Sequence, residues 1–200
     1  YSEATVRAHG GLFITPSSGV TLPFLSGNIE NWGPGQWTNG TIQTAVANSS
    51  PTLENHDTLD LIEGVSWNDS TTATGARFIN FGLVQTPATA QTTTLTVAFE
   101  NRASATLRAT NSVLTLARPS FNEGRLEILG ANGSLHLTST TQPFEFRAGS
   151  TVDGDGQLRV RLQLLDVAQG HRVVRDEIDI ARKQRREPTA GRIEIAIDAP

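Results

Sequence analysis

Cysteine and methionine are both missing from this 200-residue chain, and lysine occurs once, at Lys183. Without cysteine, a disulfide framework, a thiolate nucleophile and a Cys-ligated zinc site are all excluded. Without methionine, Tyr1 is not an initiator, so an upstream segment is expected to have been removed, and Tyr1 fits the mature end of a secreted chain. Loss of the two most easily oxidised side chains suits an extracellular or cell-surface setting, a virion surface included. No run reaches the roughly 18 consecutive apolar residues of a membrane helix, so no membrane span is expected. The net charge of −4 gives no general attraction to nucleic acid. One basic run, Arg182-Lys183-Gln184-Arg185-Arg186, falls between two strand patterns and reads as a solvated loop.

Helical periodicity is absent too. What the chain has instead is alternation of apolar and polar residues, the mark of half-buried strands. In Arg192–Asp198, Ile193, Ile195 and Ile197 share one face. Leu158, Val160, Leu162 and Leu164 make the strongest internal strand, which Gln169-Gly170 turns back into Val174–Ala181. Leu126 and Ile128 face Leu135 and Leu137 across Gly130-Ala131-Asn132-Gly133, whose Asn-Gly suits a tight hairpin. Leu95, Val97 and Phe99 fall on one face of a further strand. No internal repeat is evident. Short strands at such intervals predict an all-β fold, an antiparallel β-sandwich of jelly-roll or Ig-like type. Residues 1–77 form its looser N-terminal part, with a loop-rich stretch at 26–40, and 78–200 its regular part.

Within 78–181, Phe81-Gly82-Leu83-Val84, then Leu95-Thr96-Val97-Ala98-Phe99-Glu100-Asn101, then the long strand Leu158–Leu164 follow one another. This order resembles the Ig-like domains of the ASH type found in many bacterial surface proteins. The resemblance implies a sandwich fold and a scaffold role, with no chemistry attached.

Catalytic motifs are lacking. His9, His56, His136 and His171 are scattered and form no zinc-binding pair. No G-x-S-x-G is present, so no enzyme is expected, and a glycan-active enzyme is the remote alternative. No cofactor is expected either, calcium aside. Asp153-Gly154-Asp155-Gly156 offers two oxygen ligands of the kind calcium takes, but the same residues make an ordinary turn before a strand. Glu54, Asp57 and Asp60 form a second acidic patch of the same standing.

The most specific local feature is Asn31-Trp32-Gly33-Pro34-Gly35-Gln36-Trp37. Trp32 and Trp37 either plug one end of the fold or form a platform on which a sugar ring stacks, with Asn31 and Gln36 bonding its hydroxyls. Asn39, Asn48, Asn68 and Asn132 each head a glycosylation sequon. At the N-terminus, Ala4, Val6 and Ala8 make a slender apolar stripe, suited either to an edge strand in its own sheet or to donation into a neighbouring subunit. The expectation is therefore a secreted structural subunit that self-associates into a surface layer, filament or virion, with N-terminal strand donation as one means of joining. A carbohydrate-binding module with a glycan partner at Trp32 and Trp37 is the alternative.

Overall fold

The computed structural model describes residues 4–16, 21–24, 27–44, 50–69, 75–88, 91–118, 120–139, 144–165 and 172–180. Every regular element among them is a β-strand, so the all-β expectation stands. The antiparallel sandwich, jelly-roll or Ig-like, does not. The chain winds instead as a parallel β-solenoid with three walls. Sheet 1 stacks Thr5–Ala8, Asn28–Asn31, Thr52–Asn55, Arg77–Asn80, Ala98–Asn101, Phe121–Asn122 and Glu145–Phe146. Sheet 2 follows with Phe13–Ile14, Gly35–Thr38, Thr58–Ile62, Leu83–Thr86, Thr106–Thr110, Arg125–Leu129 and Thr151–Gly154. Sheet 3 closes each turn with Thr21–Phe24, Thr41–Thr44, Ser66–Asp69, Thr92–Leu95, Val113–Leu116, Ser134–Leu137 and Gln157–Leu165.

The correction has a simple physical origin. Alternation reports which side of a strand is buried, not the direction of its partner. A parallel neighbour needs a long crossover, and here the other two sheets supply it. The hairpin expected at Gly130–Gly133 is thus a corner. Arg125–Leu129 belongs to sheet 2 and Ser134–Leu137 to sheet 3, and each pairs in parallel with strands one turn away. Likewise Leu95 and Phe99 lie in different sheets, on either side of the corner at Val97. The stretch 26–40, expected to be loop, contains Asn28–Asn31 and Gly35–Thr38. The stack runs through position 77 without a break, since Thr52–Asn55 pairs in register with Arg77–Asn80. The Gln157–Leu165 strand does pair antiparallel with Arg172–Ile180, the single such pairing among the described strands. The isoleucine strand expected at Arg192–Asp198, the basic run and the sequon at Asn48 lie outside the described residues.

Because neighbours stack in register, inward residues of successive turns form columns. Ile29, Leu53, Phe78 and Phe99 line sheet 1. Leu59, Val84, Leu107 and Leu126 line sheet 2. Ile42, Trp67, Leu95, Leu116 and Leu137 line sheet 3. Most are fully buried and together they form one continuous core. Phe78 meets Phe99 edge-on at 5.2 Å and Trp67 at 6.3 Å, geometries that aromatic rings favour. The corner from sheet 2 to sheet 3 turns the chain through left-handed residues at aligned levels, with φ of 62° at Asn39, 61° at Glu63, 45° at Asn111 and 82° at Gly130. Such a conformation favours Gly and Asn, which hold three of these four places.

Candidate functional site

The corner from sheet 1 to sheet 2 carries the chain's most regular chemistry, inside and out. Five turns end their sheet 1 strand in asparagine: Asn31, Asn55, Asn80, Asn101 and Asn122. All five are fully buried. Each side-chain amide donates to the carboxamide oxygen of the next, Asn31 to Asn55 at 2.8 Å, Asn55 to Asn80 at 3.0 Å, Asn80 to Asn101 at 2.8 Å and Asn101 to Asn122 at 2.6 Å. The second N–H of Asn55 and of Asn80 reaches a backbone carbonyl of the turn above, Leu83 and Thr106 respectively. At the start of the row, Asn31 Oδ1 accepts the Leu12 backbone N–H at 2.8 Å. A primary amide has two donors and an acceptor, which is what a buried corner flanked by backbone groups on both sides requires.

The residue after each asparagine points outward, so these residues form a second row. From the N-terminal end it reads His9, Trp32, His56, Phe81, Arg102, Glu123 and Arg147. Its first half is aromatic. The Trp32 and His56 rings lie 3.8 Å apart and 5° from parallel, and His56 and Phe81 lie 4.8 Å apart at 4°. Trp32 is 45% exposed and Phe81 41%. Its second half is ionic. Arg147 lies over the Phe121 ring at 3.6 Å and bonds Glu123 at 3.1 Å and Glu145 at 3.0 Å. Those two bonds, Glu123 first, raise the Arg147 pKa and keep the guanidinium charged. Glu100, nearly buried, is clamped by Arg77 and Arg102.

Beside the aromatic half, Glu30 Oε2 accepts the Trp32 indole N–H at 2.8 Å and the Arg7 Nε–H at 2.8 Å. The indole bond, with Arg7 behind it, holds the Glu30 carboxyl below its ordinary pKa. Glu54 meets His56 at 3.2 Å.

The residues singled out in the sequence are dispersed by this geometry. Trp37 is fully buried in the core whereas Trp32 faces out, so the two indoles lie on opposite sides of the wall and share no platform. Asn31 is inside, in the amide row, and Gln36 is exposed on sheet 2 between Phe13 and Asp60. Asp153 pairs with Arg125 at 2.8 Å, and Asp155 accepts the Gly130 backbone N–H at 2.7 Å. Among the described residues no group of three or more His, Asp or Glu is arranged to hold a metal ion. Asp60 accepts from Gln85, outside the corner. Asn39 sits half-buried at a left-handed corner, and Asn68 and Asn132 are exposed. Ala4, Val6 and Ala8 flank or lie in Thr5–Ala8, which pairs in parallel with Asn28–Asn31 of its own chain, and Val6 is 60% exposed. No helix among the described residues is long and apolar enough to cross a membrane.

Glu30, His56 and Phe81 were not singled out from the sequence as parts of one feature. The signal was present as apolar-x-Asn: Ile29-Glu30-Asn31, Leu53-Glu54-Asn55, Phe78-Ile79-Asn80 and Phe99-Glu100-Asn101. The asparagines are spaced 24, 25, 21 and 21 residues apart, a period that marks a solenoid even when little else repeats. Comparison of the chain with protein-family models, curated proteins and solved structures finds no match.

Proposed function

We propose that this chain is a structural module of a secreted or surface assembly, a rigid rod segment that spans distance and joins further coils at its ends. The observation that carries the reading is the unbroken amide row. It ties five successive turns together through buried hydrogen bonds. Seven levels at the usual ~4.8 Å strand spacing give a rod of roughly 30 Å. In such a stack each turn is stabilised by its neighbours, so length is added without redesign of the core.

The first level supports an assembly role. Thr5–Ala8 is bonded on one side to Asn28–Asn31 and is the edge of sheet 1 on the other. Val6 continues the inward column of Ile29 and Leu53, yet it is largely exposed. An edge of this kind accepts a further strand in register. Joining by this edge needs no release of the strand from its own chain. Sedimentation and negative-stain microscopy over a range of concentrations test the reading. Expected are end-to-end particles whose length grows with concentration and which Val6→Lys disperses. A chain that stays monomeric up to millimolar concentration overturns it.

A further inference from the structure

We propose that the partner received by the first turn is the last turn of a second copy of this chain, stacked head to tail, and that the strand Arg172–Ile180 is a stop that must leave sheet 3 before the joint closes. This rests on the rod reading and names its partner and its control. The two ends are open in the same way. Core-lining apolar side chains stay partly open at Leu12 and Ile14 in the first turn and at Phe144, Phe146 and Val152 in the last, where a neighbouring turn lies on one side only. The register of the stack, continued across a joint, sets unlike residues together. Phe146, which takes the asparagine place in the last turn, comes to Ala8, which takes it in the first. Gly154, with no side chain, comes to Ile14. Large against small fills a joint without overpacking it. Glu145 comes to Arg7, and both side chains are more than half exposed, each with a partner in its own chain, Arg147 and Glu30 respectively. On the neighbouring outward rows Arg147 comes to His9 and Asp153 to Phe13, so Arg7 with Glu145 is the one pair of opposite charge among these three rows. An exposed pair of this kind adds little affinity but selects which end meets which.

The third wall is where the joint is blocked. Among the described strands, sheets 1 and 2 finish at Glu145–Phe146 and Thr151–Gly154, whereas sheet 3 adds Arg172–Ile180 beyond Gln157–Leu165. That strand lies where Thr21–Phe24 of an incoming copy has to pair, and it runs antiparallel, so it presents no further turn to stack upon. Its ladder is interrupted by a shift of register between Arg161 and Gln163, and no described strand lies on its other side. It can therefore come away without unwinding a turn. A joint that closes only while the strand is away is weakened by the fraction of time the strand stays in place.

Proline has no backbone N–H, and one of any two consecutive residues in an antiparallel strand turns its N–H toward the partner. Glu177→Pro together with Ile178→Pro therefore removes a ladder bond and frees the strand, which amide exchange confirms by faster exchange confined to 172–180 and the strand it leaves. Sedimentation compares this full-length variant with the unaltered chain. Expected is association at a concentration lower by about tenfold or more. In the proline background Arg7→Glu should raise that concentration, and Glu145→Arg added to Arg7→Glu should bring it down again. The proposal is overturned by a freed strand that leaves association unchanged. It is overturned equally by a loss with Arg7→Glu that Glu145→Arg does not rescue, the result expected of a two-fold joint between first turns, which brings no Glu145 to Arg7. Equal association of the proline variant and the unaltered chain removes the stop and leaves the rod reading standing, whereas monomers in both at millimolar concentration overturn the rod reading as well.

Discussion

At each turn of the first corner, two consecutive residues obey different rules. Asn31 and Trp32, Asn55 and His56, Asn80 and Phe81, Asn101 and Arg102, Asn122 and Glu123 are neighbours in the chain, but the first of each pair is inside and the second outside. The inner row is chemically uniform because every member faces the same problem. Backbone groups of the next turn must be bonded away from water, and an amide of this length reaches them. The outer row passes from aromatic to ionic over the same distance, because solvent satisfies whatever its neighbours do not. Uniformity inside specifies the fold, and variety outside is free of that constraint.

If that contrast is correct, the largest losses follow from changes to the interior. Phe78 is fully buried between Trp67 and Phe99. Phe78→Ala opens a cavity in the continuous column and should cost about 3–5 kcal/mol. Chemical denaturation measures it. A cost below 1 kcal/mol would mean that the turns collapse onto one another far more readily than a close-packed interior allows.

The amide row comes next. Asn80 donates to Asn101 and to the Thr106 carbonyl, and it accepts from Asn55 and from the Gly82 backbone N–H at 3.2 Å. Asn80→Ala removes the donor to the buried Asn101 Oδ1 and to the Thr106 carbonyl and leaves Gly82 N–H only its bond to the Asn55 carbonyl, and it should cost about 2–4 kcal/mol. Amide hydrogen exchange locates the damage. Faster exchange at Gly82, with the far end of the rod unchanged, is expected of a stack whose turns interact chiefly with their neighbours.

How much of this was legible follows from the kind of information alternation carries. It revealed which residues of Leu158–Val160 or Leu135–Leu137 share a face, since that depends on the strand alone. It could not distinguish parallel from antiparallel pairing, because both bury every second residue. Asn132-Gly133 therefore read as a hairpin when it is a corner, and the distance from Leu95 to Phe99 as strand when it bends through Val97. The repeat went unseen because its turns differ in length and only four of them share an apolar-x-Asn tripeptide. Trp32 and Trp37 read as one feature, plug or platform, whereas the structure separates them. Only four residues separate them, but a tight Gly-Pro-Gly passage puts one indole outside the wall and the other in the core.

Asp69 sharpens the comparison from the other side, as a buried polar group without the full set of partners the asparagines enjoy. Its Oδ1 has no hydrogen-bond partner, and Arg118 is 3.5 Å from its Oδ2. Burial raises its pKa and Arg118 only partly offsets this. An acid whose pKa is raised on folding costs stability in its charged form. That cost is absent below the unfolded value of about 3.9 and grows as pH rises through it toward the folded value. Asp69→Asn should therefore stabilise the chain at pH 7, by something on the order of 1 kcal/mol, and change little at pH 3. Thermal melts at the two pH values check the sign. A variant that is less stable at pH 7 than at pH 3, each relative to the unaltered chain, would show that the Arg118 pair outweighs burial.

The smallest effect, and the sharpest contrast, comes from two neighbours. Asn55 and His56 are one peptide bond apart. The two amide hydrogens of Asn55 are shared among Asn80 Oδ1, the Asp57 carbonyl at 2.7 Å and the Leu83 carbonyl at 3.1 Å, and its Oδ1 accepts from Asn31. His56 stacks between Trp32 and Phe81 and reaches Glu54, at the surface. Stacked rings at an exposed site contribute about 0.5–1.5 kcal/mol beyond the area they cover, and solvent replaces the bond to Glu54. His56→Ala should thus lower stability by about 0.5–1 kcal/mol, well below the loss for Asn55→Ala, while it uncovers one face of Trp32 and alters its emission. Equal losses for the two variants would show that the outer row is as much a part of the fold as the inner one. The aromatic half of the corner would then be a structural stack, and the variety along it would need a cause other than freedom from the interior.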